Sequence, residues 1–234
     1  MDASTESKRA AGRHDSDHMV IHVGRTLWDN VPAACAASLL MLIAASPALF
    51  LAIGLSWVIG WPLLILGTGP VWAGIVAASG RLLDGDACTL PTMLGLIRQH
   101  AGSGIRISIV PAIVGLILLG SLEMLDQNPH AGWIMLPLFL DLGVAIVVST
   151  SLVTIYALAT ERRATGAELW LASAIVTVSR PIPVLGTLTL FGLVAWVAAM
   201  VGPVALIAVA PLAMLCVAVT REARPDPPTG VTHQ

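Results

Sequence analysis

The feature that most constrains this chain is a run of about 50 residues without a charge, from Val31 to Gly80. A helix rises about 1.5 Å per residue, so one helix of that length would measure about 75 Å, against about 30 Å for the hydrocarbon core of a bilayer. The run therefore predicts two membrane-spanning helices rather than one. Their natural break is near Gly54 to Trp61, because Pro62 suits the first turn of a helix.

Further apolar segments repeat this pattern, and the last two again share one uncharged stretch, interrupted at Gly202-Pro203. Only 11% of the 234 residues are charged and 56% are hydrophobic, whereas soluble domains carry about a quarter charged residues. The solvent for most of the chain is therefore lipid. The sequence predicts an all-α, polytopic membrane helix bundle of about six transmembrane helices. The later spans are expected at Ile105–Leu125, Trp133–Ala157, Ile182–Met200 and Pro203–Val219.

The basic residues predict the orientation of this bundle. All 12 Lys and Arg residues lie in or border the N-terminal tail, the loops after the second and fourth spans, or the C-terminal tail. Because cytoplasmic segments carry the excess of Lys and Arg, both termini are expected in the cytoplasm. The preference for Arg and Ala is typical of a GC-rich bacterium, so we expect a multi-pass protein of the bacterial cytoplasmic membrane. One transmembrane domain, residues 25–221, is expected between disordered tails, residues 1–24 and 222–234.

Several classes of function are disfavoured by the sequence. A formal net charge of -2 does not suggest a nucleic-acid partner. The 3 cysteines are far apart and form neither a disulfide framework nor a metal-binding pattern. Catalytic and cofactor-binding motifs are not found. His14, His18 and His22 recur every four residues, but in a polar tail a solvated segment is the better interpretation than a metal site. We therefore expect no enzyme activity, no cofactor and no bound metal.

Each cytoplasmic loop contains a short amphipathic run that predicts a helix. Two interpretations remain open: an interfacial helix on the bilayer surface, or a docking helix for a cytoplasmic partner. The candidate docking residues are Leu90, Met93, Leu94 and Ile97 after the second span, and Leu171, Ile175 and Val178 after the fourth.

A set of short motifs resembles a known family. Asp29-Asn30 opens the first apolar run, Pro62 precedes Gly67-Thr68-Gly69-Pro70, and an acidic turn follows at Arg81-Leu82-Leu83-Asp84-Gly85-Asp86. Over roughly residues 25 to 221 the chain resembles the YesL-like family of small bacterial membrane proteins. The resemblance implies a membrane protein linked to carbohydrate ABC importers and supplies no catalytic residues.

Two polar features interrupt the apolar spans. Asp141 lies about 12 Å into the fourth predicted span, where an ionisable side chain usually faces the bundle interior. The segment Gly67, Thr68, Gly69 and Pro70 lies about 15 Å deep and predicts a loosened helix, as in the binding sites of transporters. Together they form a candidate intramembrane polar site. The alternatives are a carboxyl group that bonds a neighbouring helix and an ordinary proline kink.

Three functional hypotheses follow. The preferred one is an accessory or permease-like component of solute uptake, with carbohydrate as the solute implied by the resemblance, and with ABC importer subunits as possible partners. The second is an autonomous small transporter or channel that works as a homo-oligomer. The third is a structural or regulatory membrane protein without transport activity. In each case the lipid bilayer is the main surrounding partner.

Overall fold

The computed structural model describes residues 21, 23–54, 56–127, 135–161, 166–179, 181–201 and 208–222. Within these ranges the chain is helical and contains no strand, which confirms the predicted all-α class. A helical segment at residues 23–29 is followed by α1 (Val31–Gly54), α2 (Trp57–Leu83), α3 (Leu90–Gln127), α4 (Met135–Glu161), α5 (Ala167–Ser179), α6 (Pro181–Val201) and α7 (Val209–Glu222). His14, His18, His22 and nearly all of both predicted tails lie outside the described residues.

Four helices, α1 to α4, are long and apolar enough to cross a membrane. The number becomes five if α5 and α6, which meet at a bend of 103°, are counted as one broken span. The sixth predicted span falls partly outside the described residues, and its described part forms α7, an apolar helix of 14 residues. The described chain is therefore a multi-pass membrane bundle whose first four predicted spans match helices.

The amphipathic run after the second span is not a separate helix. Residues 90–104 form the first part of α3, which continues without a break for 38 residues, about 57 Å. Thr89 precedes the first turn, where its hydroxyl hydrogen-bonds that of Thr92 at 2.9 Å. The prediction of a short loop helix separate from a span that begins at Ile105 is wrong, because this part of α3 packs along α2, which stabilises one continuous helix despite its glycines.

The backbones of α2 and α3 approach closely at glycines. A Cβ atom added to Gly104 would lie 2.7 Å from the carbonyl oxygen of Gly69 and 2.7 Å from the Cα of Pro70. Gly69 faces the side chain of Ser108, and Gly74 faces Ile97. Small residues at these positions let two membrane helices gain van der Waals contact along their backbones.

The best-packed part of the bundle lies toward the α2–α3 loop, residues 84–89, and we call this the Asp84 end. Residues of α2, α3, α4 and α7 form most of the main core there. At the opposite end, which we call the Gln127 end, α3 and α4 expose many apolar side chains, such as Ile117 and Phe139. Lipid covers such a surface in a membrane protein.

A matched pair of glycines tests the contact between α2 and α3. Gly104→Ala is expected to destabilise the protein by about 1–3 kcal/mol, because the added methyl group meets backbone atoms that cannot move away cheaply. Gly102→Ala is the control, since a Cβ at Gly102 meets nothing within 4 Å. The measurement is the free energy of unfolding in mixed detergent micelles. Equal stability of the two variants would contradict the close contact.

Candidate functional site

Asp141 bonds a neighbouring helix near one end of the bundle. Its Oδ2 atom accepts a hydrogen bond of 2.5 Å from the Ser121 hydroxyl, and Ser121 lies two residues before Glu123. Residues 142–160 carry no charge, and about 19 helical residues rise roughly 29 Å, close to the thickness of the hydrocarbon core. Asp141 lies six residues, about 9 Å, after the first residue of α4, which runs from Met135 to Glu161 and is long and apolar enough to cross a membrane.

The segment from Gly67 to Pro70 does not break its helix. Helix α2 continues through Pro62 and Pro70 to Leu83, so the predicted loosening is wrong. Each proline removes one backbone N–H, but neighbouring helices and hydroxyl groups compensate for this in membrane helices. Here the Thr68 hydroxyl donates a hydrogen bond of 2.6 Å to the carbonyl oxygen of Leu64, and Gly69 packs against α3.

The two predicted halves of the intramembrane site are far apart. Gly69 faces Ser108 of α3, whereas Asp141 bonds Ser121 of the same helix. Thirteen residues separate Ser108 from Ser121, which is about 20 Å along a helix. The structure therefore does not bring Asp141 together with Gly67, Thr68, Gly69 and Pro70.

Thr68 and Gly69 instead lie beside an apolar cavity. This cavity has a volume of about 450 Å³ and lies among α1, α2, α3, α4, α6 and α7. Its walls include Met41, Trp72, Leu152, Phe191 and Leu212. The rings of Trp72 and Phe191 meet edge to face, with centroids 5.6 Å apart. We call this space the apolar cavity.

A second cavity, of about 580 Å³, lies at the Asp84 end and is polar. Its lining includes two arginines, two carboxylates, a histidine and a glutamine: Arg81, Arg221, Asp84, Glu161, His100 and Gln99. We call this space the polar cavity. Sequence reasoning missed it because its residues come from four different helices. The sequence signals that could have revealed it are the Arg98-Gln99-His100 cluster and the arginine after the last apolar run.

Arg221 joins three helices beside the polar cavity. Its Nη1 and Nη2 atoms donate hydrogen bonds of 2.7 and 3.1 Å to the two carboxylate oxygens of Asp84, just after α2. Its Nε atom donates one of 2.9 Å to Oε1 of Glu161, at the end of α4. The pKa of Arg221 is raised overall. The hydrogen bonds to Asp84 have the largest effect, partial burial acts in the opposite direction, and the bond to Glu161 raises the pKa further. The result is a charged clamp between α7, α2 and α4.

The buried hydroxyl groups tie α5 to α4. Ser173 Oγ donates a hydrogen bond of 2.8 Å to the Ser151 carbonyl oxygen, and it lies 2.8 Å from the Thr154 hydroxyl. Ser173 and Leu169 are buried against the bundle. The opposite face of α5 is exposed and carries the candidate docking residues Leu171, Ile175 and Val178.

The predicted docking face of α3 is divided by the packing on α2. Met93 is buried and Ile97 is partly buried against Gly74. Leu90 and Leu94 remain exposed. A partner at the Asp84 end therefore has access to Leu90 and Leu94, but Met93 and Ile97 belong to the core.

Metal ligands do not converge in the described part of the chain, where no group of three or more His, Cys, Asp or Glu residues is close enough to hold an ion. Comparison with family models, curated proteins and solved structures finds no significant match. The YesL-like resemblance therefore stays an expectation drawn from short motifs.

The clamp at Arg221 gives a testable prediction. Arg221→Gln is expected to lower the free energy of unfolding by about 1–2 kcal/mol, because it removes charge-assisted hydrogen bonds that are partly screened by solvent. Arg221→Lys should lose less, since it keeps the charge but not the two-point contact with Asp84. Arg98→Gln, at an exposed position of α3, is the control and should change stability by less than about 0.5 kcal/mol. A loss in Arg221→Gln no larger than the control would contradict the clamp.

The bond between Asp141 and Ser121 gives a second prediction. Asp141→Asn should keep its stability to within about 1 kcal/mol, because the amide oxygen still accepts the serine proton. Asp141→Leu should be less stable than Asp141→Asn, because Ser121 loses its partner on α4. Both variants are compared by unfolding in mixed micelles. If Asn proves as damaging as Leu, the negative charge rather than the hydrogen bond is what matters.

Proposed function

We propose that this chain is an accessory or permease-like component of solute uptake, with its Asp84 end in the cytoplasm and the polar cavity as the solute site. The observation that carries the proposal is the polar cavity itself. Charged and amide side chains from four helices converge there, at one end of an otherwise apolar bundle. Ionisable residues in membrane bundles are costly, and such clusters usually mark substrate pathways.

The charges of the polar cavity favour an uncharged solute. Arg81 and Arg221 are balanced in number by Asp84 and Glu161, so the formal charges of the four side chains sum to zero and leave no excess charge to attract an ion. Gln99 and His100 add groups that both donate and accept hydrogen bonds. A carbohydrate presents hydroxyl groups that do the same. This supports the carbohydrate class that the YesL-like resemblance implies.

A closed layer separates the polar cavity from the interior of the bundle. On α4, Tyr156 lines the apolar cavity and Thr160 the polar one, about 6 Å apart along the helix. On α2, Ile75 and Val76 lie between Trp72 of the apolar cavity and Ala77 of the polar one, and on α7 Ala213 lies between the corresponding residues Leu212 and Val217. These three side chains are among the most buried, at 0–1% exposure. Passage of a solute would require these helices to shift, as in transporters that alternate between two states. Arg221 is placed to hold the layer closed.

The exposed residues Leu90 and Leu94 support an accessory role beside an importer, because they offer apolar side chains at the Asp84 end. An autonomous transporter or channel uses the polar cavity but needs no partner. A purely structural protein needs neither the polar cavity for a solute nor an importer partner. Purification and transport measurements separate these three possibilities.

A docking test uses two exposed side chains. The paired change Leu90→Ser and Leu94→Ser is expected to abolish co-purification of an importer ATPase or permease from native membranes. It leaves Met93 and Ile97, which pack inside the bundle, unchanged. The control pair is Leu122→Ser with Met124→Ser, two exposed residues near the Gln127 end of the same helix. Recovery of the chain alone, or with itself only, from unmodified membranes would contradict the accessory role and favour an autonomous transporter.

A transport test compares the same substitution at both ends of α3. Gln99→Leu removes an amide from the polar cavity, and Gln127→Leu changes an exposed residue at the Gln127 end. Host cells without their own copy receive each variant, and uptake of radiolabelled maltose, an uncharged disaccharide, is measured. Gln99→Leu should slow uptake by about three- to tenfold, the value of one hydrogen bond, and Gln127→Leu should not. Equal uptake in cells with and without the chain would contradict carbohydrate transport.

A further inference from the structure

The apolar cavity offers almost no polar group to a ligand. The Thr68 hydroxyl already bonds the Leu64 carbonyl oxygen at 2.6 Å, and the Tyr156 hydroxyl lies 2.9 Å from that of Ser108. Among the described residues of its wall, the remaining polar groups are the Ser149 hydroxyl and the indole N–H of Trp72. Water is not held in a cavity without polar partners, whereas apolar molecules are. The occupant that fits is therefore a hydrocarbon.

The volume of this cavity indicates how long that hydrocarbon is. An apolar protein cavity of about 150 Å³ takes up one benzene molecule, which has six carbons. The cavity here measures about 450 Å³, so on the same scale it holds roughly 18 carbons. That is the size of one acyl chain of a membrane phospholipid.

The cavity walls also provide access from the bilayer. Met41, Leu152 and Leu188 line the cavity and are each partly exposed. They lie on α1, α4 and α6, which carry exposed apolar side chains along their lengths. A chain can therefore enter from the side while its headgroup stays at the membrane surface.

We propose that the apolar cavity is a binding site for one acyl chain of a bilayer phospholipid. The chain fills the space between α4, α6 and α7 and packs beside the ring of Trp72. This site is separate from the polar cavity, and the inference does not depend on whether the protein transports a solute. Because a filled cavity replaces lost packing contacts, the bound chain stabilises this arrangement of the helices.

Trp72 provides a direct probe, because bromine atoms on a lipid chain quench tryptophan fluorescence on contact. A variant that keeps Trp72 and has Phe at the other tryptophans is reconstituted in phosphatidylcholine brominated on one acyl chain. A second variant keeps only Trp196, which is exposed on α6, and reports quenching from the bilayer itself. We expect Trp72 to be quenched to a degree comparable with Trp196.

Cavity-filling changes separate a bound chain from the surrounding bilayer. Leu152→Phe narrows the cavity and should reduce quenching of Trp72 at least about twofold. Leu142→Phe adds the same ring on the exposed face of α4 and should leave the quenching unchanged. Trp72 that is not quenched while Trp196 is, or quenching that Leu152→Phe does not alter, would overturn the proposal.

Native mass spectrometry checks the proposal on the chain with all of its tryptophans. Protein from phosphatidylcholine nanodiscs is expected to retain one phospholipid, and Leu152→Phe should lose it under the same activation energy while Leu142→Phe keeps it. Loss of lipid from all three proteins, or equal retention by all three, would contradict a specific site.

Discussion

The close contact of α2 with α3 is the constraint on which the rest of the bundle depends. Helices in lipid gain little from the hydrophobic effect, because lipid tails are as apolar as leucine side chains. Backbone contact at Gly69 and Gly104 supplies van der Waals contact instead. It also holds the first part of α3 beside α2, where Gln99 and His100 enter the wall of the polar cavity. Without this contact, that part of α3 would be free to lie on the membrane surface.

Hydrogen bonds and ion pairs join the helices in addition to the glycine contact. Ser108 and Tyr156 join α3 to α4, Ser173 joins α5 to α4, and Arg221 joins α7 to α2 and α4. Most of these bonds lie toward the Asp84 end, where packing is also densest. The Gln127 end has the Asp141–Ser121 bond and much more exposed apolar surface. This asymmetry leaves one well-fixed end, which holds the polar cavity, and one end that mainly contacts lipid.

The sequence predicted the helical class and the first spans well, because uncharged runs such as Val31–Gly80 depend on composition alone. It misplaced features that depend on contacts between helices. The amphipathic pattern at Leu90 to Ile97 suggested a separate helix, but Gly74 allows Ile97 to pack inside the bundle. The sequence placed Asp141 and Thr68 at similar depths in the membrane. In the structure, Asp141 bonds Ser121 near the Gln127 end, whereas Thr68 bonds Leu64 within α2. The polar cavity was missed because Arg81, Gln99, Glu161 and Arg221 are distant in sequence and converge only in the fold.

In the orientation that we propose, α3 crosses the membrane and its Asp84 end lies in the cytoplasm. Labelling of single cysteines with a membrane-impermeant thiol reagent in intact cells tests it most directly, after the three native cysteines are replaced by alanine. Asp86 lies in the loop before α3 and Gln127 is the last residue of α3, and both are exposed. Each is replaced by cysteine in a separate variant, Asp86→Cys and Gln127→Cys. We expect Gln127→Cys to react in intact cells and Asp86→Cys to react only after the membrane is permeabilised. Reaction of both in intact cells would contradict the account.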